Sequence, residues 1–397
     1  MFSYKSLFTI IFFSFFIYSD YIKINIYFLN TVFAIAGIYL LFTLSKKELF
    51  ISGFFISLLW FWWVGYSFVY YDLSFLIPIV LISIGIVYGI LFYFIGLYQH
   101  ILYKLSYIFL LTFINPFGFN WFKLELLFIN SYFGTSKIEF FIILLSIAIY
   151  ISSKNKYKIK AFTLLLLVSV MLYLFNNINQ EKMTAPSLNI VQHQTNIEQY
   201  KKWNRIYKDK IISENIDAIK SAIENKKDLI VLPETAFPLV LNHTHNLNDL
   251  LKNLSYEISI ITGSLYEKNG LLYNSTYFYE KGKLEIAHKV VLVPFGEAVP
   301  MPEKIRNIIN NIFYDGAKDY ETAEKPTTFT IKGVRFRNAI CYEGTTDAIY
   351  NNLDTSYVIV LSNNAWFTPS IQPTLQNLLL KYYQNKYNFY YMNVTNQ

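Results

Sequence analysis

The chain has 397 residues, 54% of them hydrophobic and 19% aromatic, with a formal net charge of +7. That apolar share exceeds the roughly 45–50% usual for soluble domains, so a wholly soluble protein is disfavoured. One cysteine, Cys341, excludes an intramolecular disulfide and a Cys-rich zinc site, and the scattered basic residues give no support to a nucleic-acid partner.

Hydrophobicity is concentrated in residues 1–177, where apolar runs occur near 7–18, 22–44, 49–70, 75–98, 101–115, 138–151 and 161–175. A spanning helix needs about 20 apolar residues. The second, third and fourth runs meet that length, and the shorter ones need interfacial Ser, Tyr or Lys flanks. The reading is a transmembrane domain of about seven helices. Lys5, Lys46, Lys47, Lys104, Lys154, Lys156, Lys158 and Lys160 fall in connections of one parity, which predicts a cytoplasmic N-terminus and places residues 178–397 in the periplasm. Segment 116–136, apolar but carrying Pro116, Gly118, Lys123 and Glu125, suits an interfacial helix or a re-entrant segment.

From 188 onward, β-branched runs alternate with helical spacing. Strands are predicted at 188–192, 228–232, 258–262 and 357–361, with antiparallel pairs at 273–279/283–288 and 329–332/334–341. A helix is predicted over 203–225. This pattern implies layered α/β architecture. Glu234, Lys289 and Cys341 each stand just beyond a predicted strand or at its end. A thiol must ionise to attack a carbonyl, a carboxylate can take its proton, and an ammonium can stabilise the oxyanion. Taken singly, Glu234 also suits a helix start, Lys289 a surface charge, and Cys341 a buried small hydrophobe. The five histidines show no ligand spacing beyond His243-Thr-His245, which reads as a polar loop, so no metal is expected, and acyl transfer by Glu, Lys and Cys requires no other cofactor.

The words VLPETAFP (231–238), HKVVLVPFGEAVP (288–300), AICYEG (339–344) and SNNAWF (362–367) occur in that order. Together they resemble the apolipoprotein N-acyltransferase family, a membrane-bound branch of the nitrilase superfamily. The resemblance implies a polytopic α-helical bundle followed by an α/β nitrilase-like α-β-β-α sandwich. It implies Glu234 as general base, Lys289 as oxyanion-stabilising lysine and Cys341 as nucleophile, with Glu297, Tyr342 and Glu343 in supporting roles. Trp203 matches the family's Trp on a mobile arm near the acyl-chain entrance, though a core or interfacial indole suits it equally.

The activity implied is transfer of a fatty acyl chain, from sn-1 of phosphatidylethanolamine through a Cys thioester, to the N-terminal amine of a diacylglyceryl-cysteine apolipoprotein. The expected setting is a monomer in the bacterial inner membrane, with phospholipid and apolipoprotein as partners. Two departures stand out. The sequence given ends at YYMNVTNQ, where the family continues into further strand residues and a last transmembrane helix. Ala287 also stands where the family more often has Tyr. A membrane-tethered nitrilase-type amidase and a non-catalytic scaffold or transporter are the competing readings.

Overall fold

The computed structural model describes residues 3–153, 155–179, 183–313 and 319–397. Lys154, counted above among the cytoplasmic lysines, lies outside them. Two compact units emerge, residues 1–181 with 370–386, and residues 182–369 with 387–397. The division falls near the expected boundary at 177/178, and a late segment, 370–386, groups with the first unit.

In the first unit, helices α1 (Tyr4–Tyr21), α2 (Tyr27–Thr43), α3 (Lys46–Phe61), α4 (Gly65–Val69), α5 (Ile77–Ile95), α6 (Ile101–Leu111), α7 (Lys137–Ser152) and α8 (Asn155–Asn179) follow the apolar runs. Among the described residues, Lys46–Val69, Ser74–Ile95 and Ile101–Gly118 are long and apolar enough to cross a membrane. Small residues set the closest helix approach. A Cβ at Gly53 of α3 would lie 2.6 Å from Phe92 of α5, and one at Gly85 of α5 would lie 2.6 Å from Phe54. Around that contact Trp60 and Tyr88 pack on Phe122, at ring separations of 4.9 and 4.6 Å.

Phe122 belongs to segment 116–136, which is neither a surface helix nor regular. It holds two short 3-10 turns, and residues 120–131 are buried. Several of its polar groups find partners within the unit. Lys137 reaches the buried Glu125 at 2.7 Å, and the Asn130 amide donates to Asp20 and Asn25. Irregular backbone in so apolar a unit is tolerable where protein surrounds it, and that burial sets the surface-helix alternative aside.

The second unit carries α9 (Gln199–Lys202), α10 (Arg205–Glu224), α11 (His245–Leu254), α12 (Glu303–Phe313) and α13 (Asp347–Tyr350). Helix α14 (Gln372–Tyr387) falls almost entirely in the first unit. The strands are β1 (Ile190–Gln192), β2 (Leu229–Val231), β3 (Ser259–Lys268), β4 (Leu271–Glu280), β5 (Lys283–His288), β6 (Thr328–Ile331), β7 (Val334–Ile340), β8 (Tyr357–Asn363) and β9 (Tyr390–Asn396). They form two sheets, ordered β1-β2-β3-β4-β5 and β6-β7-β8-β9. Strands β1 to β3 run parallel, as do β7 to β9, while β3-β4-β5 and β6-β7 are antiparallel.

Period-2 alternation sorts the core into layers. Leu229, Val231, Ile261 and Phe278 of the first sheet meet Phe336, Ile359, Leu361 and Val394 of the second. Ile230, Leu232 and Ile260 point the other way, onto Ile216 and Ile219 of α10 and Leu247 and Leu251 of α11. The β4–β5 and β6–β7 turns place Lys281-Gly282 and Lys332-Gly333 at positive φ, the two-residue geometry that suits strand twist. Two predicted boundaries shift. The helix expected from Trp203 starts at Arg205, because Asn204 caps it by accepting from the Ile206 amide at 2.9 Å. Strand β3 runs through Gly263 rather than stopping there.

Candidate active site

Glu234 follows β2 and Pro233, with Thr235 next in the left-handed region at φ 48°. Gly263 is needed for that turn to lie against β3. A Cβ there would stand 2.5 Å from the Thr235 nitrogen and 2.7 Å from the Glu234 Cα. Lys289 leaves the end of β5, its main-chain N–H donating to the Asn274 carbonyl at 2.9 Å. Cys341 leaves the end of β7 with φ 53°, at the start of a 3-10 turn over Cys341–Thr345.

A non-glycine residue held at positive φ needs surroundings that fix it. Glu343 provides them. Its Oε1 accepts the Ile340 N–H at 2.7 Å, while Oε2 accepts those of Val290 and Val291 at 2.7 and 3.2 Å. One buried carboxylate thereby ties the cysteine turn to the chain just after Lys289. Burial pushes Glu343 up to about 7, against the lowering influence of Lys289 and those amides.

The side chains converge through shared partners. The Asn274 Nδ2 donates to Glu234 Oε1 at 2.7 Å and to Glu297 Oε1 at 3.0 Å. Glu297 also receives Lys289 Nζ, at 2.8 and 2.7 Å to its two oxygens, and the Val293 N–H at 2.9 Å. Lys289 is fully buried. Burial alone would depress its pKa, but Glu297, Glu234 and Cys341 outweigh it and hold the ammonium charged, above its ordinary range. Cys341 is partly exposed, yet its surroundings are dense. Desolvation pushes its thiol pKa up, Glu234 adds to this, and Lys289 and a main-chain hydrogen bond from Asn363 oppose it.

The structure therefore brings Glu234, Lys289, Cys341, Glu297 and Glu343 into one cluster. Tyr342 is buried in the cysteine turn, where its carbonyl accepts the Thr345 hydroxyl at 2.6 Å. Trp203 stands apart in character, at the end of α9 and 44% exposed. Three residues were not singled out from sequence: Asn274, Gly263 and Lys202. Lys202 is buried and donates to the Glu234 carbonyl at 2.9 Å. The signals available, a Lys-Lys-Trp run and an Asn inside β4, are too common to notice without the fold.

Residues 1–172 match the family model for the apolipoprotein N-acyltransferase integral membrane domain, and residues 190–397 match that for carbon-nitrogen hydrolases. A curated apolipoprotein N-acyltransferase from Wolinella succinogenes is 39% identical over 386 residues, spanning 96% of this chain and 91% of that protein. The chain belongs to the apolipoprotein N-acyltransferase family. Relatives of the same name from Helicobacter pylori and Campylobacter jejuni are 36% and 35% identical, over 86% and 89% of this chain and 80% and 78% of theirs. Family membership makes this a membrane protein with a nitrilase-like α/β domain, as the sequence words implied.

Proposed function

We propose that the protein transfers a fatty acyl chain from a phospholipid to the N-terminal amine of diacylglyceryl-cysteine apolipoproteins, through a thioester on Cys341. The observation that carries this reading is the single thiol of the chain, set among the carboxylate of Glu234 and the ammonium of Lys289. Family membership supplies the substrate class.

In the first half-reaction Glu234 takes the proton from Cys341, and the thiolate attacks an ester carbonyl, sn-1 of phosphatidylethanolamine being the donor position. Negative charge gathers on the carbonyl oxygen, and Lys289 stabilises it. Glu297 and Asn274 orient the lysine and the base. Lysophospholipid leaves with the proton. In the second half-reaction the lipoprotein α-amine attacks the thioester, passes a proton to Glu234, and departs as an amide while Cys341 is regenerated. Tyr342 and Glu343 hold the turn that carries the nucleophile, and Trp203 flanks the acyl-chain entrance. Both substrates are lipids, so membrane anchoring turns a three-dimensional search into a lateral one, and apolar surroundings keep water from the thioester. The location is the inner membrane, with the catalytic unit in the periplasm and the protein acting as a monomer.

The test is mass spectrometry of the purified protein after incubation with phosphatidylethanolamine carrying a labelled sn-1 chain. A labelled acyl adduct on the Cys341 peptide, discharged by a diacylglyceryl-cysteine peptide, is the expected result. Absence of the adduct together with hydrolysis of small amides would favour the amidase reading instead.

A further inference from the structure

Lys202 closes α9 and turns inward, where it is 1% exposed, while Lys201 beside it pairs with Glu198 near solvent. An ammonium at that depth is costly without compensation. Its hydrogen bond goes to a neutral acceptor, the main-chain oxygen of Glu234. Among the described residues no carboxylate forms an ion pair with it. The charges that act on it are those of Glu234 and Cys341.

The electrostatic balance of the cluster gives this residue a purpose. Glu234 and Glu297 are two carboxylates around one ammonium, that of Lys289, and Glu343 is a further buried carboxyl beneath the cysteine turn. Moving the Cys341 proton to Glu234 leaves the net charge unchanged, so without another cation the thiolate forms in a pocket already negative. A protonated Lys202 offsets part of that charge. We propose that Lys202 is a positioning residue: its ammonium holds the Glu234 main chain and supplies the second positive charge that lets Cys341 ionise. This rests on Cys341 being the nucleophile. Burial, working against the raising influence of Glu234 and Cys341, leaves the Lys202 pKa lowered to about 7, so its charge is present on the acid side of neutrality and depends on those two neighbours. The attraction is mutual, since a thiolate on Cys341 keeps the proton on Lys202.

The test uses the full chain in detergent and follows iodoacetamide alkylation against pH, which the chain's single cysteine makes unambiguous. K202Q keeps an N–H donor for the Glu234 carbonyl but lacks the charge, and K202R keeps a charge. An opposite charge nearby lowers a pKa by about one unit or more, so K202Q should alkylate about tenfold more slowly at neutral pH, its profile moved to higher pH. K202R should restore most of the rate, and K201Q should match the wild type. A K202Q profile superimposable on the wild type would overturn the proposal, as would a folded K202R that is as slow as K202Q. Wild-type protein that alkylates normally yet forms no acyl adduct would defeat the acyltransferase reading while leaving the Lys202 effect measurable.

Discussion

The two units handle buried charge in opposite ways. In the first, among the described residues, the buried Lys104, Glu125 and Glu139 each have a separate partner. Lys104 of α6 donates to the carbonyls of Phe42 and Leu44, at 2.8 and 3.1 Å, where α2 ends. Lys137 answers Glu125, and Glu139 closes a capping box with Ser136. In the second unit Glu234, Glu297, Lys289, Lys202 and Cys341 share one another's fields, so a proton moved at one changes the others. Isolated buried charges fasten the chain, whereas coupled ones suit proton transfer.

This contrast can be broken by substitution. Cys341→Ala should remove acyl transfer by about ten-thousand-fold or more, measured as turnover and as loss of the labelled adduct, because no other thiol can substitute. Glu234→Gln should slow single-turnover adduct formation by about 10²–10⁴-fold, the range for a general base. Glu343→Ala leaves three main-chain N–H groups without their acceptor and should cost about 3 kcal/mol or more of stability, read by thermal melting. Gly263→Ala forces the Glu234 turn away from β3. It should cost about 1–3 kcal/mol and slow adduct formation, with Cys341 alkylation less affected. Lys104→Met should lower the melting temperature through a loss of about 1–2 kcal/mol, yet leave the alkylation profile untouched. A changed profile in that variant would mean that the division between fastening and reactive charges is false.

Much of the sheet architecture is legible in the residues. Strand β2 is an unbroken apolar run, and the Lys-Gly turns at 281–282 and 332–333 announce their hairpins locally. Gly263 misleads because a glycine within a strand looks like its end, whereas here it admits another backbone. Strand β9 and helix α14 carry weak periodicity and gain their places through tertiary contacts. The same holds within the site. Cys341, Glu234 and Lys289 are visible by their chemistry at strand ends. Lys202 and Asn274 acquire meaning only when folding brings them to Glu234 from 32 and 40 residues away.

The Glu343 bridge has a dynamic consequence. Its three donor amides, on Ile340, Val290 and Val291, come from segments some fifty residues apart yet share one acceptor side chain. Deuterium uptake at all three should therefore rise together when that carboxylate lets go, as a single opening event. Any breathing that admits a long hydrocarbon tail without such an event has to originate elsewhere, and the exposed Trp203 stretch ahead of α10 is the natural place to look for it.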